Sequence, residues 1–172
     1  MGAEQALVGV STIKFGACGA AGTMGTTLVA IGIIVPESTI LTLEAANKTD
    51  IYVEDYDAPF LMIPDPKRIQ SFEFSVRDMS AATLAKAMGG TVLTTKWSQA
   101  VGVAILEQSI EITSLLNNGK QHKISIPRAN VRGSVDGKFS KTDTATLKFT
   151  CDVLVPVNGS MVAQPAVTWE LI

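Results

Sequence analysis

The stretch from Ser71 to Val92, SFEFSVRDMSAATLAKAMGGTV, narrows the fold more than any other part of the chain. Phe72, Phe74 and Val76 alternate with Ser71, Glu73, Ser75 and Arg77, the period of two of a strand with one buried and one wet face. Asp78 or Ser80 then offers a side-chain oxygen to the first free N–H groups of a helix. Ala81, Leu84, Ala85 and Met88 recur at helical spacing and give that helix, Ser80 to Met88, one apolar stripe. Gly89-Gly90 ends it, because glycine closes a helix in the left-handed conformation without a Cβ clash. A helix of about ten residues is marginal alone, so Leu84 and Met88 are expected to face a sheet that the flanking strands help to build.

The remaining signals are strands and turns. Ser11 to Gly16 is a candidate first strand, and Leu28 to Val35 (LVAIGIIV), ILTLEA and DIYVED read as three more. Pro59, Pro64 and Pro66 remove backbone donors and fix φ, so the segment around them, within an extended loop of about 44–70, is a connector rather than a central strand. Leu106, Ile110 and Ile112 share one face of a strand whose other face carries Glu107, Ser109, Glu111 and Thr113. Asn117-Asn118-Gly119 is a hairpin turn, since Asn and Gly accept the positive φ it demands. Beyond it Ile124 and Ile126 point inward; past Pro127, Ala129, Val131 and Val135 alternate with Arg128, Asn130, Arg132 and Ser134. Asp136-Gly137 makes a further turn, a long strand runs from Ala145 to Val155, and Val167, Trp169 and Leu171 form the last one. The expected fold is mainly β: an antiparallel β-sandwich or barrel with one short flanking α-helix. At 172 residues the chain fits a single domain with one core.

Composition excludes several functions. A net charge of −2 leaves no basic surface of the kind that holds nucleic acid electrostatically. The longest apolar run, Leu28 to Val35, falls far short of the roughly 18 residues that cross a bilayer, and the N-terminus lacks the features of a secretory signal, so cytoplasmic synthesis is expected. In that compartment Cys18 and Cys151 are expected as free thiols. Charge is nevertheless segregated. Glu37, Glu44, Asp50, Glu54, Asp55 and Asp57 face a single Lys48 between positions 37 and 57, whereas Lys120 to Lys148 holds seven basic residues, among them Arg128, Arg132, Lys138 and Lys141, against Asp136 and Asp143.

Catalytic chemistry has little to stand on. His122, the one histidine, reads as an exposed strand-end residue and offers neither a metal pair nor a triad. Glu107 and Glu111 lie about 13 Å apart along a strand, too far for the roughly 5 to 9.5 Å of a glycosidase pair. The carboxylates from Asp50 to Asp57 lack the spacing of a calcium loop. Gly16, Gly19, Gly22 and Gly25 fit neither a phosphate loop nor a dinucleotide loop, and positions 16–25 read as a flexible arm or loop that can order on a neighbour. Asn158-Gly-Ser160 and Asn47-Lys-Thr49 match glycosylation acceptors but read as turns. No enzyme activity, cofactor or metal is expected.

Between Thr39 and Pro156 the chain resembles the tail tube (major tail) proteins of long-tailed bacteriophages. The resemblance rests on the order DIYVEDYDAP, SFEFSVRDMS, ATLAKAMGG, IPRANVRGSV and GKFSKTDTATLKFTCDVLVP. Its most telling parts are Asp78, Ser80, Thr83, Leu84 and Gly89-Gly90, together with Ser140-Lys141-Thr142-Asp143 and Leu147. It implies six copies per ring and rings stacked into a tube through which DNA passes, in a virion tail assembled in the bacterial cytoplasm alongside other tail proteins. The Gly-rich stretch has no counterpart in that pattern. Membership would make Glu107, Ser109, Glu111 and Thr113 candidates to line the lumen, as a wet face with no basic residue among them. The acidic group (Glu37, Glu44, Glu54, Asp55, Asp57) and the basic group (Arg128, Arg132, Lys138, Lys141) would then meet across subunits. The alternatives are the tube of a bacterial contractile injection system, or a monomeric β-sandwich binding module. Against the last stand few aromatics, 6%, with Trp97 and Trp169 far apart and Trp169 on the apolar side.

Overall fold

The computed structural model of the chain describes residues 6–45, 48–52, 54, 57–64, 70–102, 105–137, 144–160 and 162–172. In chain order the elements are β1 (Val10–Ala17), β2 (Val29–Ala30), β3 (Ile40–Leu43), β4 (Lys48–Ile51), β5 (Leu61–Pro64), β6 (Gln70–Val76), α1 (Ala81–Met88), β7 (Thr91–Leu93), β8 (Lys96–Ser98), β9 (Leu106–Ser114), β10 (His122–Asp136), β11 (Thr146–Val153) and β12 (Thr168–Leu171), with a 3-10 turn at Ala20–Gly22. The fold is mainly β and antiparallel with one short helix, as the alternation required.

Seven strands follow one another in the order β2-β1-β9-β10-β11-β6-β3, and β12 pairs with the first part of β10. The sheet curls until its two sides are joined through residues 29–35. At one end of that segment Ala30 pairs with Lys14 and Ile31 N–H donates to Ile13 C=O; at the other Ile34 bridges to Val76 and Val35 N–H donates to Ser75 C=O. The continuous strand expected over Leu28 to Val35 is therefore two short pairings around Gly32, where a Cβ would run into the Asp78 side chain. The result is barrel-like. Phe15 from β1 sits 5.8 Å from Phe74 of β6 and 5.6 Å from Phe149 of β11, centroid to centroid, and Phe74 stacks on Phe149 at 4.7 Å. Phe72, Phe74 and Val76 are fully buried with Ile13, Ile110, Ile126 and Leu147.

The hairpin at Asn117 to Lys120 forms as expected, with Asn118 and Gly119 at positive φ. Beyond it the two strands anticipated on either side of Pro127 are one, β10. Ile126 pairs with Ile110 and Ala129 with Gln108, so Pro127 and Arg128 together oppose Ser109. That bulge shifts the inward set from Ile124 and Ile126 to Ala129 and Val131 without breaking the strand.

Helix α1 is capped as the sequence asks. Ser80 is the N-cap and its Oγ accepts from Thr83 N–H, while Asp78 accepts from Ser80 N–H at 2.9 Å and from Thr83 Oγ at 2.6 Å. Gly89 and Gly90 follow at φ 69° and 94°, and Trp97 of β8 donates to Gly89 C=O at 2.7 Å. The buried stripe, however, is turned from the expected one. Thr83 and Ala87 are the residues fully covered, and Leu84 and Met88 are partly buried against the core. The cause is Gly133 of β10: a Cβ there would lie 2.5 Å from Ala87 Cβ, so backbone and helix touch directly and the smallest helical side chain takes the deepest position.

Two features leave the barrel. Strands β4 and β5 pair only with each other, as do β7 and β8. The proline-bearing segment thus contributes a hairpin strand, Leu61–Pro64, and no central one. Among the described residues no helix is long and apolar enough to cross a membrane.

Candidate functional site: the charged outer face and the apolar hairpin

The alternation of β9 is as read: Glu107, Ser109, Glu111 and Thr113 share the outer face. Its chemistry differs from expectation because strands distant in sequence interleave their charges there. Lys14 of β1 donates to Glu111 at 2.7 Å, and Lys123 of β10 lies 3.9 Å from Glu111 and 3.4 Å from Glu170 of β12. Arg128 binds Glu107 through two bonds, Nε at 2.8 Å and Nη2 at 2.7 Å. Arg132 pairs with Asp152 and Lys148 with Glu73 at 2.9 Å. The face is thus not acidic and free of basic residues; it is a cross-strand ladder of alternating sign. The acidic and basic surfaces inferred separately from β9 and β10 are one surface, since Arg128 and Glu107 touch. The bidentate guanidinium holds the Glu107 carboxyl below its ordinary range.

Ser109 is corrected outright. It is fully buried, donates to Pro127 C=O at 2.6 Å and accepts from Gly25 N–H at 3.0 Å. The Gly-rich stretch causes this. Instead of reaching a neighbour, it folds back over β9, with a tight turn at Ala20–Gly22, and its small residues let the backbone lie flat on the sheet. Cys18 belongs to that cover, and its partial burial raises the thiol pKa. Cys18 and Cys151 are both free thiols.

Of the proposed inter-subunit residues, Arg128 and Arg132 have partners within the chain, as above. Glu37, Glu44, Glu54 and Asp57 are exposed; Asp55, Lys138 and Lys141 lie outside the described residues. His122 is not a simple exposed strand end. Its ring is half-buried, stands edge-on to Trp169 at 5.8 Å, and its Nδ1 accepts from Trp169 Nε1–H at 2.9 Å. Trp169 shares the side of the sheet on which Ile124 lies but is half exposed. Asn158 is a turn residue, its Oδ1 accepting from Ser160 and Val162 N–H. Among the described residues no group of three or more His, Cys, Asp or Glu side chains is placed to hold a metal ion.

What sequence reasoning missed is the apolar surface. The β4–β5 hairpin, closed by Phe60 N–H on Ile51 C=O at 2.8 Å, exposes Tyr52, Phe60, Leu61, Met62 and Ile63, each by about half or more of its surface. It makes no extensive contact with another element among the described residues. The signal is FLMI between Pro59 and Pro64, an apolar run that the prolines keep out of a central strand.

Compared with protein-family models and with curated proteins, the chain matches none.

Proposed function

We propose that this chain is a structural protein that assembles with copies of itself into stacked rings, the tube of a phage-like tail. The observation that carries the reading is the β4–β5 hairpin. A two-stranded ribbon is marginal in water by itself, and a contiguous apolar patch of this kind is the mark of a protein-binding surface. Covering the exposed half of each of its large side chains against a neighbour would contribute about 0.8 to 1.5 kcal/mol. Attachment of one hairpin to a different surface on the next copy is a heterologous contact, which closes into rings or extends into filaments. The resemblance between Thr39 and Pro156 points to the same architecture.

Within this reading the face carrying Glu107 and Glu111 stays the candidate for the bore, but for a revised reason. Passing DNA is not held there because Lys14, Lys123 and Arg128 are engaged by carboxylates and withheld from phosphate. The acidic residue Glu44 precedes the hairpin, Glu54 and Asp57 fall between its two strands, and all three would set register in the subunit contact rather than supply affinity.

Negative-stain microscopy of the purified chain over a range of concentrations tests the proposal. Rings or tubes of uniform diameter are expected; monodisperse particles of monomer size at the highest concentration would instead favour the monomeric binding module.

A further inference from the structure

The barrel has two ends. Helix α1 packs near Gly133 at one of them; the other, beside Phe72, Ile112 and Ile124, opens into a cavity of about 560 Å³. Its wall is mainly apolar, and its polar groups are few: His122, Glu37, Thr39 and Ser114. Pockets that bury a small ligand span about 300 to 1,000 Å³ and combine such a wall with a few placed polar atoms, and barrels of about eight strands have room for one small molecule.

We infer that this end of the barrel binds an uncharged small molecule with an apolar body and a single hydroxyl. The head group follows from the polar residues present. Trp169 donates to Nδ1 of His122, so the other ring nitrogen, Nε2, is the one that offers a donor. Ser114 is already committed, donating to Leu115 C=O and accepting from His122 N–H at 2.8 Å. Glu37 is exposed at the same cavity and held at φ 60°, a conformation uncommon for a side chain of this kind and enriched at binding sites. A carboxylate there repels an anionic head and accepts from a hydroxyl, while the imidazole donates to one. A hydroxyl is compatible with both groups, whereas a fatty-acid head accepts from the imidazole and is repelled by Glu37. This inference is independent of the assembly proposal.

Trp169 reports on the site directly, being bonded to the ring that would meet the ligand. In a Trp97→Phe variant of the full chain, 1-decanol is expected to change Trp169 fluorescence saturably, with decanoate at least about tenfold weaker. Leu115→Trp with Trp169 read by a site-specific 5-fluoro label, or Ile34→Phe within the wall, should each reduce decanol affinity at least about tenfold. Leu61→Ser with Ile63→Ser on the β4–β5 hairpin, no residue of which lines the cavity, should leave it unchanged, which separates this site from nonspecific uptake on exposed apolar surface. Absence of saturation up to the solubility of decanol, equal affinity for decanoate, or insensitivity to both filling variants would overturn the proposal. So would filling variants that abolish self-association while leaving decanol binding intact, since the cavity would then be a subunit contact.

Discussion

At the scale of single residues, burial and partners decide what polar groups do. Ser109 looks like one member of a wet face, yet it joins β9, the bulge at Pro127 and the Gly25 loop. Ser109→Ala strands a buried carbonyl and an N–H and is expected to cost about 1 to 3 kcal/mol in urea unfolding. Asp78 plays the analogous part at the start of α1. Thr83 Oγ, then Ser80 N–H, hold its carboxyl below the ordinary value. A depressed folded pKa adds stability that is present above the unfolded value and lost as pH falls through the folded one. The stability gap between the protein and Asp78→Asn is therefore expected to be full at neutral pH and to shrink below about pH 4; a gap that widens on acidification would contradict this role. The role of Ser109 is not written in local sequence, because its partners lie 84 and 18 positions away, whereas those of Asp78 are two and five positions on and could be read as a cap.

At the scale of elements, the Ser71 to Val92 unit was legible almost whole: the strand, the cap and the two terminal glycines all follow from period and backbone preference. What was not legible is the rotation of α1, because it is set by Gly133 on a strand more than forty residues later. Gly133→Ala is expected to destabilise by about 1 to 3 kcal/mol through overpacking. Combined with Ala87→Gly, the two losses should be less than additive, since the second substitution vacates the space the first invades. Simple additivity in a double-mutant cycle would show that helix and strand do not meet there. Leu84→Ala, at a partly buried position, is expected to cost less than the 2 to 5 kcal/mol of a fully buried site. The charged ladder teaches the same lesson. The outer face of β9 taken alone suggested an acidic surface, and strand pairing set Lys14, Lys123 and Arg128 against its glutamates. Solvent screens exposed pairs of this type and leaves them little net worth, so Glu107→Gln is expected to shift the unfolding midpoint only slightly. Glu107→Lys with Glu111→Lys would by contrast gather like charges around Lys14, Lys123 and Arg128 and lower the stability of the subunit itself.

At the scale of the whole molecule, a barrel-like body with a buried aromatic core carries on its outside an apolar ribbon that this body does not cover. A chain can afford that exposure where a neighbour supplies the missing wall, and self-assembly is the account of this chain that uses it. The ion-paired outer face and the packed Gly-rich loop belong to the body and should be indifferent to assembly state, whereas the hairpin should not. The most direct test is sedimentation velocity on the protein and on Leu61→Ser with Ile63→Ser at matched concentrations, with circular dichroism to compare their folds. The expected result is concentration-dependent large species for the protein and a folded monomer for the variant; identical distributions for the two, whether both monomeric or both assembled, would contradict the account.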